Sequence, residues 1–237
     1  ICVTASHNPK DYNGMKFVRA ESKPISGDSG LKDIQAKAEA GVFTPAAAPG
    51  TYDAVDTSDA YIQHLLSYID IDALQPLKIV CTAGNGGAGR VLDLLEAHLP
   101  FDFIKLHHEA DGHFPNGVPN PMLEENRVAS AELVRETGAD MGIAWDGDFD
   151  RCFFYDHTGS FVEGYYVVGL LASAFLAKSH DQIVVHDPRL TWNTIDLAND
   201  AGGRAEQSKT GHAFIKETMR RADAVYGGEM SAHHYFR

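Results

Sequence analysis

The chain has 237 residues, 44% of them apolar and 22 of them glycine, a globular composition with room for one large domain or two ordinary ones. A net charge of −13 argues against nucleic acid or anionic membrane as a partner, since both need concentrated Lys and Arg. Cys2, Cys81 and Cys152 lie far apart without paired spacing, which suits buried thiols in a reducing compartment better than a disulfide framework or a zinc site.

The chain opens on Ile1-Cys2-Val3, which reads as the inside of a strand of a longer protein. A helix is predicted over 31–40, followed by an Ala/Pro-rich linker over 44–50. Then a strand at 77–81, a Gly-rich loop, a helix at 90–99 and a strand at 101–106 follow in turn. A Pro/Gly/Asn-rich loop over 111–121 leads to a helix ending at Gly138, a good residue for the left-handed position that stops a helix. The strand at 141–145 runs straight into an acidic loop, and 152–155 with 161–162 form a hairpin. The pattern then restarts with a helix at 165–178, a strand at 182–186, a helix at 192–201, a strand at 205–208, a helix at 212–221 and a last strand at 224–226. Strands alternating with helices predict consecutive three-layer α/β/α units with mostly parallel, mixed sheets. The divisions fall at 1–50, 51–161 and 162–237. The longest nearly apolar run, 165–177, is shorter than the roughly 18 residues a membrane span takes. No charged leader precedes an apolar segment, so a cytoplasmic location is expected.

Two segments carry chemistry. Thr4-Ala5-Ser6-His7-Asn8-Pro9 presents a hydroxyl on a loop. Asp146-Gly147-Asp148-Phe149-Asp150-Arg151 alternates three carboxylates and ends on a permanent cation. Asp-x-Asp-x-Asp also begins an EF-hand, but that loop needs Gly sixth and Glu twelfth, where this chain has Arg151 and His157. The nucleophile motif of the haloacid-dehalogenase fold fails as well, because it carries Thr or Val where Asp150 stands. What remains is a hard-cation site, with Mg²⁺ held by Asp146, Asp148 and Asp150 and its shell completed by water and phosphate. The run Gly84-Asn85-Gly86-Gly87-Ala88-Gly89 is a literal G-x-G-x-x-G between a strand and a helix, with Glu109 about twenty residues on. By motif it reads as a dinucleotide site, hence an NAD-dependent oxidoreductase; by packing it is only a tight turn. In Gly228-Glu229-Met230-Ser231, two polar side chains project to one side of an extended segment, spaced to hold neighbouring sugar hydroxyls. The histidine pairs 107–108 and 233–234 lack metal-ligand partners at helical spacing.

Taken together, the serine loop, the acidic loop and Gly228-Glu229-Met230-Ser231-Ala232-His233 resemble the bacterial phosphomannomutase/phosphoglucomutase family of the α-D-phosphohexomutases. The likeness runs from end to end of the chain, with the motifs in the family's order. It implies an intramolecular phosphotransferase that interconverts hexose 1- and 6-phosphates, of mannose and with glucose left open. Ser6 would carry a phosphate, Mg²⁺ would sit against it, and a hexose 1,6-bisphosphate would be intermediate and activator. By the same resemblance His7, Asn8 and Lys16 support that phosphate, Arg151 clamps it, and Glu229, Ser231 and His233 grip the sugar. Thr210-Gly211-His212 resembles the family's Thr-Gly-His segment, which implies that His212 lies in the cleft and moves protons. Arg189 stands where many relatives have a Lys proposed as general base, and an arginine stays charged. The resemblance favours the tight-turn reading of 84–89. It also implies the tail of a first domain, all of a second and most of a third, so the chain alone is expected to show negligible turnover.

Overall fold

The computed structural model describes residues 1–179 and 181–237, in which two mixed sheets are each covered on both faces by helices. A short antiparallel ladder comes first, β1 (Cys2–Val3) with β2 (Met15–Lys16), and between them runs the serine loop. Helix α1 (Lys32–Ala40) ends at Gly41 in the left-handed conformation. After an irregular stretch, α2 (Ser58–Leu66) leads into the first sheet.

That sheet is built from β3 (Lys78–Thr82), β4 (Asp102–Leu106), β5 (Met141–Trp145), β6 (Cys152–Tyr155) and β7 (Phe161–Val162), in the order β4-β3-β5-β6-β7. The first three are parallel, and the hairpin β6–β7 is added antiparallel. Alternation in the strands fills both faces. Val80, Ala144 and Tyr155 pack on Val134 of α4 (Val128–Thr137), while Ile79 and Cys81 pack on Leu92 of α3 (Ala88–Glu96). Gly138 takes the left-handed position that stops α4, as its place in the sequence predicts.

The second sheet repeats the plan. Its strands are β8 (Ile183–His186), β9 (Arg204–Gln207), β10 (Tyr226–Gly228) and β11 (His234–Phe236), in the order β11-β10-β8-β9. Here α5 (Gly164–Lys178) and α6 (Thr191–Asp200) bury Val168, Ala172, Leu176 and Ala198 on one face, and α7 (His212–Ala222) buries Ile215 and Met219 on the other. Helix α5 is apolar nearly throughout, yet Tyr166 and Leu170 stay exposed opposite the stripe that it buries. Among the described residues no helix is long and apolar enough to cross a membrane.

The three-layer architecture is the expected one, and strand β5 falls on the predicted residues. Three elements were not anticipated: α2, β2 and the edge strand β11, so 224–226 is not the last strand.

Both sheets place a chain reversal at one point. In the first, β3 connects to β4 on one side and β5 returns on the other; in the second, β8 connects to β9 and β10 returns. The loops after β3 and β5, and after β8 and β10, therefore emerge side by side at the strands' C-terminal ends. Such crevices are where open α/β sheets hold ligands.

Candidate functional site

The acidic loop leaves β5 at this crevice and is locked to the Gly-rich turn after β3. Gly87 N donates to Gly147 O at 3.0 Å, and a Cβ on Gly86 would lie 2.5 Å from the same oxygen. A Cβ on Gly87 would meet the Phe149 ring at 2.8 Å, and one on Gly89 would overlap the His108 carbonyl. The glycines at 84–89 thus let protein pack on protein. The space a pyrophosphate would need is filled by Gly147, Phe149 and His108, so the dinucleotide reading is withdrawn.

Ser6 comes to the same place from the other end of the sequence. It has a φ of 52°, a left-handed conformation uncommon outside glycine and often held at functional positions. Its N–H donates to Thr4 Oγ1 at 2.9 Å, and Thr4 Oγ1 donates in turn to Asp148 Oδ2 at 2.6 Å. Ser6 Oγ donates to Asp146 Oδ2 at 3.1 Å and lies 3.0 Å from His7 Nδ1. Gly147 is also required here, because a Cβ on it would overlap the Ser6 carbonyl oxygen.

The three carboxylates offer donor atoms that all lie within 4.8 Å of one another. Asp146 is fully buried; burial first, then the charges of Asp150 and Asp148, push its carboxyl up to about 6. Asp148 Oδ1 is buried without a hydrogen-bond partner among the described residues. Crowded, desolvated carboxylates with an unpartnered oxygen are the donor set a divalent cation satisfies, so the residues fit the expected metal. Burial alone would raise Asp150, but bonds from His233 and Lys16 outweigh it and hold it well below the usual carboxylate range.

Cations surround this cluster. Lys16 Nζ lies 2.5 Å from Asp150 and 3.4 Å from Asp148. Arg151 Nε lies 3.6 Å from Asp146, and its N–H donates to Asp146 Oδ1 at 3.2 Å. His233 bridges the two sheets, with Nε2 3.1 Å from Asp150 Oδ1 and Nδ1 3.0 Å from Glu229 Oε2. Burial opposes its charge, but those two carboxylates prevail and raise it to about 9, so it is an imidazolium at neutral pH. His212 and His7 go the other way; each is pushed below its usual value by burial, then by Lys216 for His212 and by Arg151 for His7, and each is a neutral base.

The sugar loop after β10 is fixed from inside. Glu229, 2% exposed, accepts from Gly211 N at 2.8 Å and from Ser231 Oγ at 3.2 Å. Asp187, fully buried after β8, accepts from Met230 N at 3.0 Å and from the Arg189 side chain and backbone.

The structure therefore brings together Ser6, His7, Lys16, Asp146, Asp148, Asp150, Arg151 and His233, with Glu229 and Ser231 joined to them through His233. His212 lines the same cavity. Two expected residues stand apart. Asn8 is exposed and donates to the Ala5 carbonyl at 2.8 Å, stabilising its own turn instead of facing the Ser6 hydroxyl. Arg189 is forked onto Asp187 and acts on the sugar loop only through that carboxylate. Sequence reasoning passed over Thr4, Gly147 and Asp187. Thr4 sits in the serine motif and Asp187 two residues before Arg189, so their positions were visible but not their partners.

Comparison with known proteins agrees with this geometry. Three family models described as phosphoglucomutase/phosphomannomutase, alpha/beta/alpha domains I, II and III, match residues 1–44, 59–159 and 163–237. The chain is 62% identical to phosphohexose mutases of Xanthomonas campestris pv. campestris strain B100, over 100% of its own length and 53% of theirs. It is 61% identical to the phosphomannomutase of Salmonella typhimurium strain LT2, again over 100% of its length and 54% of that protein. A phosphoglucomutase/phosphomannomutase family protein from Burkholderia thailandensis superposes with a TM-score of 0.90 at 32% identity, over 99% of this chain and 50% of that one. The chain spans about half the length of the relatives it matches. With its domains in order, and the serine and acidic loops in contact, the chain belongs to the phosphoglucomutase/phosphomannomutase family.

Proposed function

We propose that the chain carries the phosphoryl-transfer centre of a phosphohexomutase that interconverts hexose 1-phosphate and 6-phosphate, of mannose and with glucose as the second candidate. One observation carries the reading: Ser6 Oγ stands 3.1 Å from Asp146 although 140 residues separate them, within one cluster of carboxylates and cations. Asp146, Asp148 and Asp150 would hold Mg²⁺, which when bound would neutralise charge on the phosphoryl group in transfer.

The chain's own residues do the rest. Phosphorylated on its Oγ, Ser6 gives the phosphoryl group to a free sugar hydroxyl: the Oγ–P bond breaks, a bond from P to the sugar oxygen forms, and the hydroxyl proton leaves to a base. The neutral imidazole of His212 suits that role, and the imidazolium of His233 does not. His233 instead keeps its charge and ties Glu229 to the acidic loop, so sugar position and phosphoryl position are set together. Arg151 faces the same phosphate with a charge it cannot lose. The hexose 1,6-bisphosphate so formed turns and returns its other phosphate to Ser6.

The test is a mutase assay with mannose 1-phosphate and glucose 1-phosphate plus a bisphosphate activator. It is run on the chain alone and on the chain fused to the flanking regions of the Salmonella relative. Turnover by the fusion, abolished by Ser6→Ala, is expected; full turnover by the Ala variant would refute the assignment.

A further inference from the structure

Beside the acidic loop lies a cavity of about 1250 Å³, lined by Lys16, Asp150 and His233 and by Tyr61, Tyr68, Leu92 and Phe154. One wall is helix α7. His212, Lys216 and Arg220 recur along it at helical spacing, and all three face the cavity.

Of the cations facing the cavity, Lys216 and Arg220 have no ion pair among the described residues, and of these two Lys216 is half-buried whereas Arg220 is exposed. Lys16 is paired with Asp150, and Arg221 on the same helix with Glu206, but Lys216 has no ion pair or hydrogen bond among the described residues. It is half-buried, with Nζ 5.7 Å from the centre of the Tyr235 ring. Tyr235 stacks on His233, with ring centres 6.2 Å apart and planes 22° apart. Lys216 is thus connected through Tyr235 and His233 to the acidic loop and lies on the same cavity wall. Asp150 and Glu229 act on this ammonium only from beyond ion-pair distance, so part of the cost of taking it out of water is left for an anion in the cavity to offset. The wall is electrostatically unsatisfied: burial first, and then the charge of Lys16, push the Lys216 amine below its usual value.

We propose that Lys216 is a phosphate-binding residue of the cleft, holding a phosphate group of the bound hexose phosphate against α7. The proposal rests on the phosphohexomutase reading above. It adds a grip within this chain for the phosphate that is not at Ser6. Arg220 one turn on adds a second positive charge to the wall, with Asp223 beyond it and Asp150 at the acidic loop as the carboxylates that line the same cavity.

The experiment is titration calorimetry of the whole chain with mannose 6-phosphate and, as the uncharged control, mannose. Lys216→Met should bind mannose 6-phosphate roughly tenfold to a hundredfold more weakly, the weight of one charge-assisted hydrogen bond. Lys216→Arg should stay close to the unaltered chain, and Arg221→Met, which changes the charge of the same helix away from the cavity, should leave binding unchanged. Lys216→Met should melt no lower than the unaltered chain, because it removes an unpaired charge from a half-buried place. If the unaltered chain binds mannose 6-phosphate and Lys216→Met binds it equally well, the inference is overturned and the phosphohexomutase reading stands. If the unaltered chain binds no hexose phosphate while the fusion protein does, the inference is overturned and the phosphohexomutase reading stands; if neither binds one, both are overturned.

Discussion

Replacing Gly147 by Ala tests whether the serine loop and the acidic loop form one unit. Gly147 has no left-handed backbone to lose, so the effect is purely one of space. The added Cβ would overlap the Ser6 carbonyl oxygen, with Pro119 Cγ 3.6 Å away closing the other direction. Ordinary contact is restored only if the two loops part by about 1 Å. The Ser6 Oγ–Asp146 distance of 3.1 Å then passes the hydrogen-bond limit. A misplacement of about 1 Å at a reacting group costs on the order of 100-fold in rate. Overpacking costs about 1–3 kcal/mol of stability, and the low end applies because the serine loop lies at the surface and can yield. The assay is kcat of the fusion protein for mannose 1-phosphate, with thermal melting alongside. Gly112→Ala, where a Cβ would meet nothing within 4 Å, is the control. A Gly147→Ala protein that turns over within twofold of the unaltered one would refute the coupling of the two loops.

Asp148→Asn should leave the fold intact, since the side chain is partly exposed, but weaken Mg²⁺ binding and cut kcat by a few kcal/mol of barrier, about 100-fold; calorimetry with Mg²⁺ and activity in EDTA check both. Stability should fall on the acid side through His234. Burial, then the charge of His233, depress it to about 4 from 6.5, and its Nε2 is buried without a partner among the described residues. The unfolded chain therefore takes up a proton below about pH 6.5 that the folded one refuses until about pH 4. Stability is present in full above that window and is lost through it, by on the order of 3 kcal/mol. Denaturant titrations at pH 7 and pH 4.5 should show the loss, and His234→Phe should reduce it; an unchanged slope would refute the assignment. The chain alone should show negligible mutase turnover beside the fusion, and turnover of mannose 1-phosphate equal to the fusion's would refute that expectation.

Much of this was legible in the sequence, for definite physical reasons. Strand β5 is bounded by Gly138 and the acidic loop, so composition marks both its ends. Strands β2 and β11 are two and three residues long, too short for a period of two to emerge, and α2 follows an irregular stretch without a strong apolar face. In the site, the three aspartates read as a cation site from residue type and spacing, whereas the role of Ser6 came only from the resemblance of its loop to the family's. Their contact could not be read from residue type and spacing, because Ser6 and Asp146 are joined only through tertiary packing. The same holds for the roles of 84–89: a glycine motif does not say whether a cofactor or Gly147 and Phe149 will fill the space it leaves. Residue type and spacing did not show that Asn8 donates to its own loop, because a side chain two residues from a reactive group can turn either way.

The central claim is that Ser6 carries the phosphoryl group, and peptide mass mapping tests it most directly. The chain is incubated with mannose 1,6-bisphosphate and Mg²⁺, digested, and the peptide containing Ser6 weighed. The account predicts one phosphate on that peptide, absent from Ser6→Ala and slow to form in Asp148→Asn. A phosphate on another residue, or one that persists in Ser6→Ala, would contradict it.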